Sequence, residues 1–146
     1  MKIGLLNGPN LNLLGKREPS LYGNFTLDDV YNRLKIIAGK ENEIIPFQSN
    51  VEGEIINYIH LSCDEKIEYI IFNPGAYTHT SIAIRDAITS VNAKVIEVHI
   101  SNVYKREEFR HKSLIAPVCI GQIAGFGLLS YELALNYILT QSKEKL

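Results

Sequence analysis

The chain has 146 residues, enough for one domain with a sizeable core. Hydrophobic residues make up 46% and charged residues 21%, the balance of an ordinary globular protein. A net charge of −1 supplies no global field for nucleic acid or an anionic membrane, and no apolar run approaches the roughly 18 residues that a bilayer span needs. Cys63 and Cys119 stand alone, with no C-x-x-C pair. That argues against a disulfide scaffold and fits a reducing compartment, so a cytoplasmic setting is expected. The polar run Asn7-Gly8-Pro9-Asn10 interrupts any signal-like apolar stretch near the N-terminus.

In chain order, Ile3-Gly4-Leu5-Leu6 is a short apolar run closed by Asn7-Gly8-Pro9, which predicts a buried strand. Residues 7–23 follow as a long loop rich in Gly, Pro and Asn. Long loops in compact domains tend to be functional, often as lids, and this one carries Arg17 and Tyr22. Thr26 fits a helix N-cap, with Asp29 completing a capping box in place of the usual Glu. Leu27, Val30, Tyr31, Leu34, Ile37 and Ala38 then recur at helical spacing, and Gly39 is a plausible stop. Residues 43–48 predict a second strand, followed by the polar loop Gln48-Ser49-Asn50. Ile55, Ile56 and Ile59 mark a second helix starting near Glu52. Tyr69-Ile70-Ile71-Phe72 is the third strand, cut off by the turn Asn73-Pro74-Gly75-Ala76. Thr80 or Ser81 can cap a third helix containing Ile84, Ala87 and Ile88.

Residues 94–100 predict a fourth strand, and 101–113 a charged loop with room for one helical turn. Val118-Cys119-Ile120 predicts a short fifth strand. The closing helix is expected over 125–141, with Leu128, Tyr131, Leu135, Ile138 and Leu139 on one face, and 142–146 as a frayed polar tail. Five strands alternating with helices predict an α/β fold, a doubly wound parallel sheet covered on both faces. A flavodoxin-like order 2-1-3-4-5 is expected, in a single domain over 1–146.

Ligands in such folds bind beyond the carboxyl ends of the strands. Those ends deliver Asn7 to Asn10, Asn73 to His79, and Glu97 to Ser101, followed by Arg106 and Arg110. A phospho-acceptor receiver would need carboxylates where Asn7 and Asn73 stand, and a flavodoxin would need Ser or Thr within residues 8–15, which have none. Arg106 and Arg110 are four apart, so one helical turn would align them toward an anion. Spacing alone favours a solvated charged turn, since Glu107 and Glu108 lie between them.

His99 ends an apolar strand, where it is either a satisfied core histidine or an acid or base that titrates near neutrality. Strand alternation puts Glu97 on the same face, able to orient the ring and hold it protonated. His79 is a loop histidine suited to bonding a hydroxyl, whereas His60 reads as structural and His111 as surface. No metal is expected, because the histidines lack ligand spacing and neither cysteine has a partner nearby. G-x-S-x-G, P-loop and G-x-G-x-x-G patterns do not occur, and no cofactor is expected. Tyr22 reads first as a packing residue; an Arg17 guanidinium beside it would favour the phenolate.

Several runs converge on one family. They are Asn7-Gly8-Pro9-Asn10-Leu11, Gly15-Lys16-Arg17-Glu18-Pro19 and Tyr22-Gly23; the run from Asn73 to Ser81 with Arg85-Asp86-Ala87; Glu97-Val98-His99-Ile100-Ser101-Asn102 with Arg106 to Arg110; and Gly121-Gln122-Ile123 with Gly125-Phe126-Gly127. In this order, from residue 4 to about 135, they resemble the type II 3-dehydroquinate dehydratases. The resemblance implies dehydration of 3-dehydroquinate to 3-dehydroshikimate by anti elimination through an enolate, in the shikimate pathway. It implies that Tyr22, as phenolate, removes the proton alpha to the ketone, while Arg17 activates Tyr22 and closes with the lid. Asn10 would hold a water on the enolate oxygen, and His99, supported by Glu97, would protonate the departing hydroxyl.

By the same resemblance Asn73, His79, Ile100, Ser101, Arg106 and Arg110 bind substrate, with the arginines near its anionic end. Asp86 would reach a neighbouring subunit's site in a dodecamer of trimers. The type I enzymes use a lysine Schiff base, but Lys2, Lys16, Lys94 and Lys105 all read as exposed or edge positions. Val51 stands where the family commonly has His, and Ser130 where Gly is common. The competing expectation is a non-catalytic flavodoxin-like domain that recognises an anion; such a binder would have no use for an Arg-activated tyrosine on a lid.

Overall fold

The computed structural model describes residues 1–144. The strands are β1 (Lys2–Asn7), β2 (Glu43–Gln48), β3 (Ile67–Asn73), β4 (Lys94–His99) and β5 (Gly121–Ala124). The helices are α1 (Pro19–Tyr22), α2 (Leu27–Ala38), α3 (Glu52–Asp64), α4 (Ile82–Thr89) and α5 (Leu129–Glu144). The sheet is parallel throughout, in the expected flavodoxin-like order β2-β1-β3-β4-β5.

Strand alternation sorts the apolar runs onto two faces. Leu5, Ile71 and Ile96 join the core under α2 and α5, while Leu6, Ile70 and Val95 join the core under α3 and α4. Each central strand therefore feeds both cores, which is why its sequence reads as a continuous apolar run.

Local chemistry fixes the helix starts. Thr26 and Asp29 form the full capping box on α2: the Thr26 N–H donates to Asp29 Oδ2 (2.9 Å) and the Asp29 N–H to Thr26 Oγ1 (3.2 Å). Ser81, rather than Thr80, caps α4, its Oγ accepting from the Ile84 N–H at 2.9 Å. Ser130 accepts the Phe126 N–H at 3.1 Å, a bond that a glycine there would lack.

Four expectations are corrected. Residues 7–23 are not loop throughout, since Leu11–Leu13 forms a 3-10 turn and Pro19–Tyr22 forms the short helix α1. Val118-Cys119-Ile120 is not the fifth strand; Ala116–Val118 is a 3-10 turn and β5 follows at Gly121–Ala124. Proline at 117 cannot donate to a ladder, and Ile120 lies just before the ladder, its N–H donating to Val95 O (2.8 Å). The closing helix begins at Leu129, not at 125, because Gly125 and Gly127 both take positive φ (99° and 61°). It also runs on through Glu144, so residues 142–144 of the expected tail are helical, while 145 and 146 lie outside the described residues.

The turns after β1 and β3 interlock. The Gly8 N–H donates to Asn73 O (2.8 Å), and a Cβ on Gly8 would stand 2.4 Å from Pro74 O. Only glycine permits that approach. The two loops that carry Asn10 and His79 are thus held backbone to backbone at the carboxyl edge of the sheet.

Candidate active site

A cavity of about 230 Å3 opens at this edge. The turn after β1 contributes Asn10, and the segment beyond it Arg17 and Tyr22. The end of β3 and its turn contribute Asn73 and His79; the end of β4 contributes His99, Ile100 and Ser101; the following loop contributes Arg106 and Arg110. The expected residues therefore meet in one place, with two exceptions. Glu97 is fully buried behind His99, and Asp86 lies exposed on α4, away from the cavity. No acidic residue and no lysine lines the cavity among the described residues. The cations make it a site for an anion.

His99 is 7% exposed, and its Nε2 bonds Glu97 Oε2 at 3.1 Å. That leaves Nδ1 as the nitrogen able to serve the cavity. Glu97 is held from both sides. Ser113 Oγ donates to Glu97 Oε1 at 2.6 Å, and Gln122 Nε2 donates to Oε2. Ser113 in turn accepts the N–H groups of Ile115 (3.1 Å) and Ala116 (2.9 Å), so its one hydrogen is committed to the carboxylate. Burial would raise the Glu97 carboxyl; the hydrogen bond and charge of His99, with Ser113 and Gln122, outweigh it and hold the group below the ordinary carboxylate value. A buried carboxylate with this many donors stays ionised and fixes the ring it bonds. Cys119, close by, is pushed up to about 12 by burial and by the charge of Glu97, so its thiol stays neutral.

Tyr22 has the surroundings of both readings that the sequence leaves open. Its ring packs against the core under α2 and α5. It is also flanked by two guanidinium groups, with Arg17 Cζ 5.0 Å and Arg106 Cζ 5.3 Å from the ring centroid. Arg106 comes from a different loop, a partner that the sequence does not offer.

The two arginines are not aligned by one helical turn. They sit on separate 3-10 turns, Arg106 just after Val103–Lys105 and Arg110 at the end of Glu108–Arg110. Both still reach the cavity, with side chains only 13% and 21% exposed. Glu107 pairs with Arg110 at 2.7 Å from outside, as a solvated turn would have it. Arg106 NH1 also donates to Ser101 Oγ at 3.3 Å.

His79 Nδ1 bonds the Lys112 carbonyl (2.7 Å), which makes Nδ1 the protonated nitrogen and frees Nε2. Asn10 takes a left-handed φ of 68°, tolerated by asparagine. Its N–H is held by Asn50 Oδ1 at 2.9 Å, and the Tyr77 hydroxyl bonds Asn50 O at 2.7 Å. Ser113, Gln122 and Asn50 are thus supports that sequence reasoning misses. Gln122 lies inside one of the motif runs, but Ser113 sits in a charged loop with no pattern to mark it.

Fold and site together define an α/β protein with a cationic cavity at the carboxyl edge of its sheet, holding a carboxylate-held histidine and a tyrosine between two arginines. A family model described as "Dehydroquinase class II" matches residues 1–139. A 3-dehydroquinate dehydratase of Clostridium perfringens strain 13 is 55% identical over 147 aligned positions, covering 99% of this chain and 100% of that protein. One from Caldicellulosiruptor saccharolyticus is 59% identical over 139 positions, covering 92% of this chain and 93% of its own. The crystal structure of a type II dehydroquinase from Butyrivibrio crossotus superposes with a TM-score of 0.91 at 50% identity, covering 94% of this chain and 96% of that one. The chain belongs to the class II dehydroquinase family.

Proposed function

We propose that this chain is a hydro-lyase that dehydrates 3-dehydroquinate to 3-dehydroshikimate, a step of the shikimate pathway of aromatic amino acid biosynthesis. The observation that carries this reading is the meeting, in one cavity that no described carboxylate lines, of a tyrosine between two guanidinium groups and a histidine held by a buried carboxylate. Elimination beside a ketone needs a base for the alpha proton, an acid for the leaving hydroxyl, and stabilisation of the enolate oxygen. Tyr22, as phenolate, takes the proton, and the two cations stabilise its charge. The C–H electrons form an enolate, whose oxygen is met by a water held on Asn10. Collapse of the enolate expels the hydroxyl, which leaves as water with a proton from His99. Glu97 keeps the ring oriented for that transfer.

Arg106 and Arg110 bind the carboxylate, and Asn73, His79, Ile100 and Ser101 bind the rest of the substrate. The reading needs no imine, in keeping with a cavity that no described lysine lines. The segment within 7–23 that carries Arg17 and Tyr22 acts as a lid.

The working assembly is a dodecamer built from trimers, with Asp86 of one subunit reaching the site of a neighbour. Ile82, Phe109, Phe126 and Leu129 are exposed apolar side chains that such an assembly would cover, which supports it. The setting is cytoplasmic, in keeping with two cysteines that remain free thiols.

The test is the absorbance of the conjugated enone when purified protein meets 3-dehydroquinate. Product is expected. Well-folded protein that binds the substrate and forms none would leave only a non-catalytic anion-binding domain.

A further inference from the structure

Tyr131 lies on α5 and is fully buried. Its ring belongs to the core under α2 and α5, but its hydroxyl reaches the sheet edge. There it donates to Asn7 Oδ1 at 2.6 Å and accepts from Asn73 Nδ2 at 3.0 Å. Asn7 and Asn73 are the last residues of β1 and β3 and are register partners across the ladder. Asn73 Oδ1 is held separately, by the Gly75 N–H at 3.2 Å.

This arrangement leaves the Asn73 amide one orientation. Its oxygen faces the turn, where it accepts from the Gly75 N–H, one hydrogen of Nδ2 is given to Tyr131, and one hydrogen remains. Asn73 lines the cavity; Tyr131 and Asn7 do not. An amide turned over would offer substrate an acceptor where the present one offers a donor. Burial pushes the Tyr131 phenol up and keeps it protonated, so it can go on donating to Asn7 while accepting from Asn73.

We propose that Tyr131 is a positioning residue: its hydroxyl fixes the Asn73 amide so that the free N–H is presented to an oxygen of the bound substrate. This rests on the reading of Asn73 as a substrate-binding residue. Tyr131 touches no substrate and acts through Asn73 alone. It also ties the closing helix to the turn where β1 and β3 release their catalytic loops.

The experiment is a double-mutant cycle on the full-length enzyme with 3-dehydroquinate, reading KM and kcat separately. Tyr131→Phe keeps the ring and removes the hydroxyl. It is expected to raise KM on the order of tenfold, the worth of one hydrogen bond, with kcat nearly unchanged. Asn73→Ala is expected to raise KM at least as much. In the Asn73→Ala background, Tyr131→Phe is expected to add nothing further to KM. A merely structural role would lower Tm in both backgrounds and leave the KM effects additive, which would overturn the proposal. A normal KM in Tyr131→Phe beside a raised KM in Asn73→Ala would overturn the role of Tyr131 alone. A normal KM in Asn73→Ala would overturn the Asn73 assignment and the proposal with it. Should Tyr131→Phe fail to fold, Asn7→Ala carries the same cycle. It removes the acceptor that orients the hydroxyl, and its KM effect must vanish in the Asn73→Ala background.

Discussion

At Tyr22 the ring packs on the core while the Arg17 and Arg106 guanidinium carbons stand 5.0 and 5.3 Å from its centroid. Removing the hydroxyl leaves the packing and the cations in place, so Tyr22→Phe separates the proposed base from the scaffold. Its kcat is expected to fall by about 10²- to 10⁴-fold, the usual worth of a positioned acid or base, with substrate affinity largely kept. Equilibrium binding beside steady-state rates checks this, and near-normal turnover would remove Tyr22 as base. Glu97 gives a stability prediction instead. Its folded value is depressed below 4.5, so its contribution is present in full above that pH and is lost as pH falls through the folded value. In Glu97→Gln the titrating group is gone. Tm is expected to be lower at neutral pH, because the donors of His99, Ser113 and Gln122 lose their charged acceptor, and to fall less steeply than wild type as the pH drops below 4.5. Thermal melts across that range check it; parallel acid limbs for the two proteins would show that Glu97 is not the group responsible. The roles proposed for Tyr22, His99 and Glu97 come from the resemblance, but their placement near the cavity is legible in the sequence, because each sits near a strand end or in an overlong loop. Ser113, Asn50 and Arg106 as a neighbour of Tyr22 are not, since each acts through a contact between loops that no local period encodes.

The elements that obey a period are those the sequence discloses. Strands β1 to β4 are apolar runs closed by turn residues, and α2, α3 and α4 carry caps or apolar faces at helical spacing. Strand β5 has neither: Gly121 and Gln122 are exposed, and its pairing with β4 is set by the ladder from Ile96 to His99. The more apolar Val118-Cys119-Ile120 therefore attracts the prediction, and only tertiary pairing decides against it. The segment between β1 and α2 is a different case. Gly15, at φ 91°, packs on Phe25 O and Thr26 Cγ2, each 3.2 Å from where a Cβ would be. The capping box anchors the far side at Thr26. The residues between these anchors carry Lys16 and Arg17 on a stretch with no buried side chain from Gly15 to Asn24. A segment of this construction, acting as the proposed lid, can open locally without unfolding the domain. Trypsin is therefore expected to cut first after Lys16 or Arg17, and saturating product is expected to slow that cut by at least about threefold. Mass spectrometry of timed digests locates the cut, and a rate unchanged by product would remove the segment as a lid.

For the whole molecule the open question is what completes the site. Within one chain the cavity already gathers the proposed base, acid and carboxylate-binding arginines. Asp86 is the proposed member that one chain leaves out, exposed on α4 and apart from the cavity. In an assembly built from trimers a residue of this kind can serve a neighbour, and the defect of Asp86→Ala then belongs to a site on another subunit. Mixing two defective proteins reads that out. Tyr22→Phe destroys its own site but still offers Asp86; Asp86→Ala keeps Tyr22 but offers its neighbour nothing. Each homo-oligomer is expected to be impaired. When the two are unfolded together and refolded in equal amounts, a subunit carrying Tyr22 meets an intact Asp86 about half the time, which restores about a quarter of wild-type activity per subunit if assembly is random. If Asp86 served its own subunit, every site in the mixture would keep one defect, and activity would stay at the average of the two parents. Recovery above that average, in a fraction that elutes at the size of the wild-type assembly, is the expected result. It would establish the oligomer as part of the catalytic machinery rather than a by-product of apolar faces.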